Sequence, residues 1–258
     1  MTTYAGRVAA ATDQTYLHRV VAVLGAFKSE ENTVSPAELA RRVGLPKSTV
    51  HRIVAALVEE GLLERQAARV QLGVRLFEIG QRVPRQRVLR DAARPHLHDL
   101  GEATRQTVHL AILEGSQVVY VDILVAPGAP PLPSRVGGRL PAHATGVGKA
   151  MLAFSPPELV QAILDAGLPR VSERSTIAPG LLAKELASIR QTGVAYDHEE
   201  SGPGIVCAAS PVLGADGEVL GALSVSGWST RMRLDQVSPA VRTAALALSR
   251  TLGQRKPE

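Results

Sequence analysis

Residues 44–63 read GLPKSTVHRIVAALVEEGLL, and the way this stretch divides its side chains decides the fold of the first third of the chain. Val50, Ile53, Val54, Leu57 and Val58 follow the i, i+3, i+4, i+7, i+8 spacing of a helix with one buried stripe. Lys47, Ser48, Thr49, His51 and Arg52 fill the remaining positions of its first turns and point away from that stripe. A helix that gathers cations and hydroxyls at its exposed N-terminal end is built to present hydrogen-bonding groups to something outside the chain.

Working outward, SPAELARRV precedes this helix and predicts another. Ser35 is an N-cap, Pro36 sits at N1, and Glu38 at N3 completes a capping box. Leu39, Ala40 and Val43 form its inner face, and Gly44 supplies the left-handed stop. Leu45-Pro46 turns the chain into the next helix. Further upstream, Leu17, Val20, Val21, Leu24 and Phe27 mark one face of a helix over about Gln14 to Ser29. Two short helices joined by a Gly-containing turn make a helix-turn-helix, whose second helix enters the DNA major groove N-terminal end first. Downstream, Leu62, Leu63 and Val70, Leu72 bracket a polar turn at Gln66–Arg69, the pattern of a short hairpin. Such a hairpin is the wing of a winged helix, and it would bring Arg65 and Arg69 to phosphate or the minor groove.

The charge is distributed accordingly. Residues 1–90 carry 14 Lys and Arg against 8 Asp and Glu, a net of +6, whereas residues 91–258 carry 15 against 16, a net of −1. A basic excess confined to one segment points to a polyanionic partner there. A solvated basic face, or a helical bundle binding another protein, is the alternative. No run of about 18 apolar residues offers a membrane span. The N-terminal stretch MTTYAGRVAAATDQTYLHR lacks the basic start and apolar block of a secretory signal. The lone Cys207 excludes an internal disulfide. The expected location is the cytoplasm, with no membrane partner.

Residues 75–104 are helical in pattern but interrupted by Gly80, Pro84 and Pro95, and Pro84 should break the helix. Arg82, Arg85, Arg87 and Arg90 either reach DNA or solvate a linker, and the linker is the preferred reading. Leu89, Ala92, Ala93, Leu97 and Leu100 then open a second domain. The expected boundaries are a DNA-binding domain over 1–73, a linker helix over 74–90, and a second domain over 91–258. In the last, TVHLAILEGSQVVYVDILV is a hairpin turning at Glu114-Gly115-Ser116, and IVCAASPVLGADGEVLGALSVSG a second turning at Asp216-Gly217. Helical segments fall near Gly148–Phe154, Pro157–Ala166, Leu181–Thr192 and Pro239–Leu252, so the fold class is α+β.

Enzyme signatures fail. HATGVGKA has His143 where a phosphate loop needs Gly, and Ala150 where Ser or Thr should hold magnesium. GALSVSG lacks the spacing of a nucleophile elbow. His109, His143 and His198 are scattered, and with one Cys they make no metal or catalytic set. No cofactor and no metal are expected. A binding site reads better. Ser224 and Ser226 project from one face of a strand, where they line a pocket or face water. The run Thr145-Gly146-Val147-Gly148 precedes an apolar helix, and its backbone N–H groups would suit an anion.

With these pieces in order, the chain resembles the IclR (isocitrate lyase regulator) family of bacterial transcription factors from about Leu17 to Leu252. The resemblance rests on SPAELARRVGLPKSTVHRIVAALVEEGLLER, on GGRLPAHATGVGKAMLAFSP, and on DHEESGPGIVCAASPVLGADGEVLGALSVSGWSTRM. It implies a winged helix-turn-helix followed by a GAF-like effector domain, acting as a regulator, with repression the expected sign. The implied effector is a small organic or aromatic acid, held by Gly146, Val147, Asp197, Cys207, Ser224 and Ser226, with Leu132 and Val136 as an apolar wall. Asp197 would repel an anion unless one partner is protonated or a hydroxyl intervenes. The resemblance further implies a homodimer or tetramer on a palindromic operator. The rival is an enzyme or metabolite-binding protein whose N-terminal domain mediates protein contacts.

Overall fold

The structure, a computed structural model, describes residues 15–28 and 31–254. The expected ends of the first helix, Gln14 and Ser29, and most of the stretch read for a secretory signal lie outside the described residues. Contacts divide the chain into two compact units at Pro84/Arg85.

In the first unit, α1 (Tyr16–Gly25), α2 (Pro36–Val43) and α3 (Lys47–Glu59) precede a hairpin of β1 (Leu63–Gln66) and β2 (Arg69–Leu72). Ser35 caps α2 by accepting from the Glu38 N–H at 3.2 Å. The other half of the expected capping box does not form. The Glu38 carboxylate turns instead to Arg41 and Arg42, a stronger charge-assisted pairing than a backbone N–H offers. Gly44 ends α2 at φ 68°, as its missing Cβ allows. Val50, Ile53, Val54 and Leu57 of α3 are buried with Val23, Leu39, Leu63 and Val70, so the apolar stripe is the core of this unit. In the wing Gln66 pairs with Arg69 across a two-residue turn, and Val34 adds a bridge to Val70. Ala67 sits at φ 53° in the turn, the left-handed region that an Asn-Gly sequence would have announced.

The stretch 74–90 is two helices. α4 (Val74–Gln81) ends before Pro84, and α5 (Pro84–Thr104) begins on it, where the missing N–H costs nothing. Pro95 lies inside α5 without ending it. The burial of Leu89, Ala92, Ala93, Leu97 and Leu100 along one face offsets the one lost backbone bond.

The second unit is built on a six-stranded antiparallel sheet. Its strands are β3 (Thr107–Glu114), β4 (Gln117–Leu124), β5 (Arg139–Pro141), β6 (Ala195–His198), β7 (Ile205–Leu213) and β8 (Val219–Trp228), in spatial order β5-β4-β3-β8-β7-β6. Both expected hairpins form, β3–β4 around Gly115 at φ 61° and β7–β8 around Gly217 at φ 77°. Side-chain alternation splits the core. Val206, Ala208, Leu223 and Val225 face α5 and α9 (Leu234–Gly253), whereas Cys207, Ala209 and Ala222 face α6 (Gly146–Leu152), α7 (Pro157–Asp165) and α8 (Pro179–Thr192). The last helix starts five residues ahead of Pro239, whose ring falls in its early turns. Two glycines let α6 press onto its surroundings. A Cβ on Gly148 would stand 2.1 Å from the Ala142 carbonyl oxygen, and one on Gly146 2.9 Å from the Cys207 Sγ. Among the described residues no helix is long and apolar enough to cross a membrane.

Candidate functional site

Two places in the chain carry exposed or buried polar groups beyond what packing needs. The first is the N-terminal end of α3. Lys47, Ser48, His51 and Arg52 are exposed and Thr49 is half-buried, while the stripe beneath them is closed. No side chain caps this helix; its N-cap is Pro46. The first-turn N–H groups and the positive end of the helix dipole therefore stand beside the cations, an arrangement suited to phosphate. On the wing Arg65 is exposed. Arg69 is exposed too, but its Nε and Nη2 donate to the hydroxyl and carbonyl of Thr33 at 2.8 and 2.6 Å. Arg69 thus braces the wing, and only part of its fork is open to a partner.

The second place is a narrow, partly open chamber of about 20 Å³ against the sheet face under α6. Gly146, Val147, Asp197, Cys207, Ser224 and Ser226 all line it. Strand register explains the convergence. Asp197 pairs with Cys207 and Cys207 with Ser226, one row across β6, β7 and β8, while Ser224 pairs with His109 in the next row. Leu132 lines the chamber, but Val136 does not. Val136 is 61% exposed, because the loop carrying it turns outward after Ser134.

Sequence reasoning missed His109, Tyr120, Pro133, Ser134, Leu140, Ser201 and Ile205, which with Thr145 complete the lining. His109 joins the rows to the covering loop, with Nε2 2.9 Å from the Ser134 hydroxyl and Nδ1 3.4 Å from that of Ser224. Burial drops its pKa to about 4, so the ring is neutral, donating from one nitrogen and accepting at the other. Its ring lies 5.4 Å from that of Tyr120, whose hydroxyl burial pushes well above its ordinary range. Burial first, and the nearby Asp197 second, lift the Cys207 thiol to about 12, so it stays protonated and unreactive. Burial also raises Asp197, and its Oδ1 is already committed, accepting from the Glu200 N–H at 2.6 Å and the Ser201 N–H at 3.4 Å. No Lys or Arg lines the chamber.

Just behind its wall lies Lys149, the largest fully buried side chain among the described residues. Its Nζ donates to Glu185 at 2.5 Å and Glu200 at 2.6 Å. Burial alone would pull the ammonium down, but Glu200 and Glu185 together hold it above the usual lysine range. The lysine that mimicked a phosphate-loop residue is a structural ion. Among the described residues no three His, Cys, Asp or Glu converge as a metal-binding set.

Comparison with known proteins matches both units. The IclR helix-turn-helix domain matches residues 17–67, and the bacterial transcriptional regulator IclR C-terminal domain matches residues 81–250. The HTH-type transcriptional regulator XynR of Escherichia coli is 32% identical over 248 residues, 92% of this chain and 96% of that protein. The transcriptional repressor IclR of Escherichia coli is 30% identical, covering 86% of this chain and 83% of the relative. The crystal structure of an IclR homolog from Microbacterium hydrocarbonoxydans, complexed with 4-hydroxybenzoate, superposes with a TM-score of 0.86 at 31% identity, covering 92% of this chain and 99% of that one. The helix-turn-helix and the sheet domain that carry these two places are each matched by a family model, and this chain belongs to the IclR family of bacterial transcriptional regulators.

Proposed function

We propose that this chain is a repressor that reads a palindromic operator as a homodimer or tetramer and releases it when a small organic acid, an aromatic acid foremost, fills the chamber. The observation that carries the reading is the composition of that chamber. Hydroxyls of Ser224 and Ser226 and the start of α6 at Gly146-Val147 offer donors to a carboxylate, and Tyr120, Leu132 and Leu140 offer an apolar bed to a ring. With no cation in the lining, the acid is held by neutral donors alone, which favours a small and weakly charged ligand. The 4-hydroxybenzoate in the Microbacterium relative supports this class of ligand. Asp197 is compatible with it, because one of its oxygens is turned to backbone N–H groups. A receptor rather than a catalytic role is supported by the neutral His109 and the protonated Cys207.

Lys47, Ser48, Thr49, His51 and Arg52 are assigned to the operator, with Arg65 and Arg69 adding charge from the wing. Replacing Arg52 with alanine is expected to weaken operator binding by about 1–3 kcal/mol if it reads a base. A gel-shift titration with unchanged affinity would remove it from the readers. Pairing of two chains is supported by apolar side chains left open on the first unit: Tyr16, Leu17 and Val21 on α1, and Val74, Phe77 and Ile79 on α4. Two winged helices also read twice the base pairs of one.

The chamber assignment is tested by Ser224→Ala combined with Ser226→Ala. Losing two hydrogen bonds to a carboxylate is expected to weaken 4-hydroxybenzoate binding by about 10- to 100-fold in calorimetry, with ligand-free operator affinity unchanged. Normal affinity in the double variant would place the ligand elsewhere.

A further inference from the structure

A second concavity in the effector unit has no part in the reading above. It is an open groove of about 520 Å³ between the end of α8, the outer face of α9 and the β7–β8 turn. Arg190, Arg242 and Arg250 line it, and Phe154, Leu213 and Leu246 contribute its apolar lining. Leu246 is 47% exposed, a large apolar side chain with little to cover it. No Asp or Glu is among the lining residues.

Arg41, Arg42, Arg75, Arg174 and Arg233 each pair with a carboxylate, whereas among the described residues no ion pair reaches Arg190, Arg242 or Arg250. The groove's hydroxyls are already spent within the fold, Ser210 donating to the Gly193 carbonyl and Ser249 to that of Ala245. Arg190 spends its Nε on the Ala153 carbonyl at the C-terminal end of α6, but service to helix ends does not account for the whole charge. α8 is closed by Gly193 in the left-handed conformation, and the C-termini of α6, α8 and α9 carry about half a negative charge each against three guanidiniums.

We propose that this groove docks an acidic, amphipathic segment of a partner protein, with carboxylates on the three arginines and an apolar anchor beside Leu246. The openness of the site argues for a peptide over a metabolite, because small-molecule sites enclose most of their ligand. Charge complementarity across such a surface sets partner choice and on-rate.

The test uses the full chain and a short fluorescent peptide alternating aspartate with leucine and phenylalanine, beside a control with asparagine for aspartate. The acidic peptide is expected to bind and to protect α8 and α9 from hydrogen exchange, and the neutral one to be ignored. Arg242→Glu with Arg250→Glu should weaken binding about tenfold or more. Leu246→Ser should weaken it without a change of charge, while Arg52→Ala with Arg65→Ala leaves it intact. Four results overturn the proposal: no binding, equal loss in the Arg52 and Arg65 variant, citrate binding where the peptide does not, or a change in oligomeric mass on charge reversal. The third makes the groove a small-anion site, and the last makes a second copy its occupant.

Discussion

Replacing Lys149 with methionine is expected to lower the stability of the effector unit by about 3–5 kcal/mol, measured by denaturant unfolding of the full chain. Methionine fills nearly the same volume, so the loss is electrostatic. The Glu200 side chain is 7% exposed and its Oε2 has no partner, so without the ammonium it becomes a buried, uncompensated charge. Glu185, 31% exposed at its side chain, can turn to water and is the lesser cost. Adding Glu200→Gln is expected to recover more than half of the loss, because glutamine keeps the acceptor for the His198 N–H and carries no charge. The same clamp fixes the chamber wall, since the Glu200 N–H is the donor that orients Asp197. A single variant within about 1 kcal/mol of the parent would show that the ion is not held in the interior.

The second large effect is a pH dependence centred on His109. Its folded pKa is about 4 against an ordinary 6.5, so between these values the unfolded chain binds a proton that the folded chain refuses. Stability therefore falls as pH drops through that window, and is whole above the unfolded value. A depression of this size corresponds to roughly 3 kcal/mol. Asp197 contributes with the opposite sign, its raised carboxyl favouring the folded state as pH falls toward its own titration. The comparison that isolates His109 is the difference between the parent chain and His109→Asn at pH about 7.5 and about 4.5. Asparagine is expected to flatten the slope at some cost in stability. An equal slope in both proteins would mean that the ring is solvated or charged in the fold.

Much of the first unit was legible because its signals are local. Ser35, Gly44 and the stripe from Val50 to Leu57 each act within one or two turns of helix, and the structure uses each as the spacing implies. Half of the capping box was lost for a reason outside the helix's first turn, as Arg41 and Arg42 compete for Glu38. In the second unit the hairpins were plain from Gly115 and Asp216-Gly217, but helix limits near prolines were not. Pro95 and Pro239 stay inside helices that tertiary burial supports.

The chamber was half visible. Ser224 and Ser226 share a face by strand periodicity alone, yet His109, Tyr120 and Ser134 join them only through the order β4-β3-β8 and a covering loop. No spacing within one segment encodes that register. The resemblance supplied Asp197 and Cys207, and the cross-strand row supplies the physical reason they meet Ser226. Lys149 left a usable signal, a lone cation in the apolar run from Leu140 to Phe154, whose carboxylate partners lie 36 and 51 residues away.

The central claim is that the first unit reads duplex DNA and the chamber controls how well it does so. The direct measurement is fluorescence anisotropy of the full chain on DNA from upstream of its own gene, across a salt series, with and without 4-hydroxybenzoate. The account predicts a steep line in log affinity against log salt, a loss of roughly 10³-fold or more between about 50 and 200 mM, with the whole line displaced by ligand. A flat line, or tight ligand binding that leaves a steep line where it was, would contradict it.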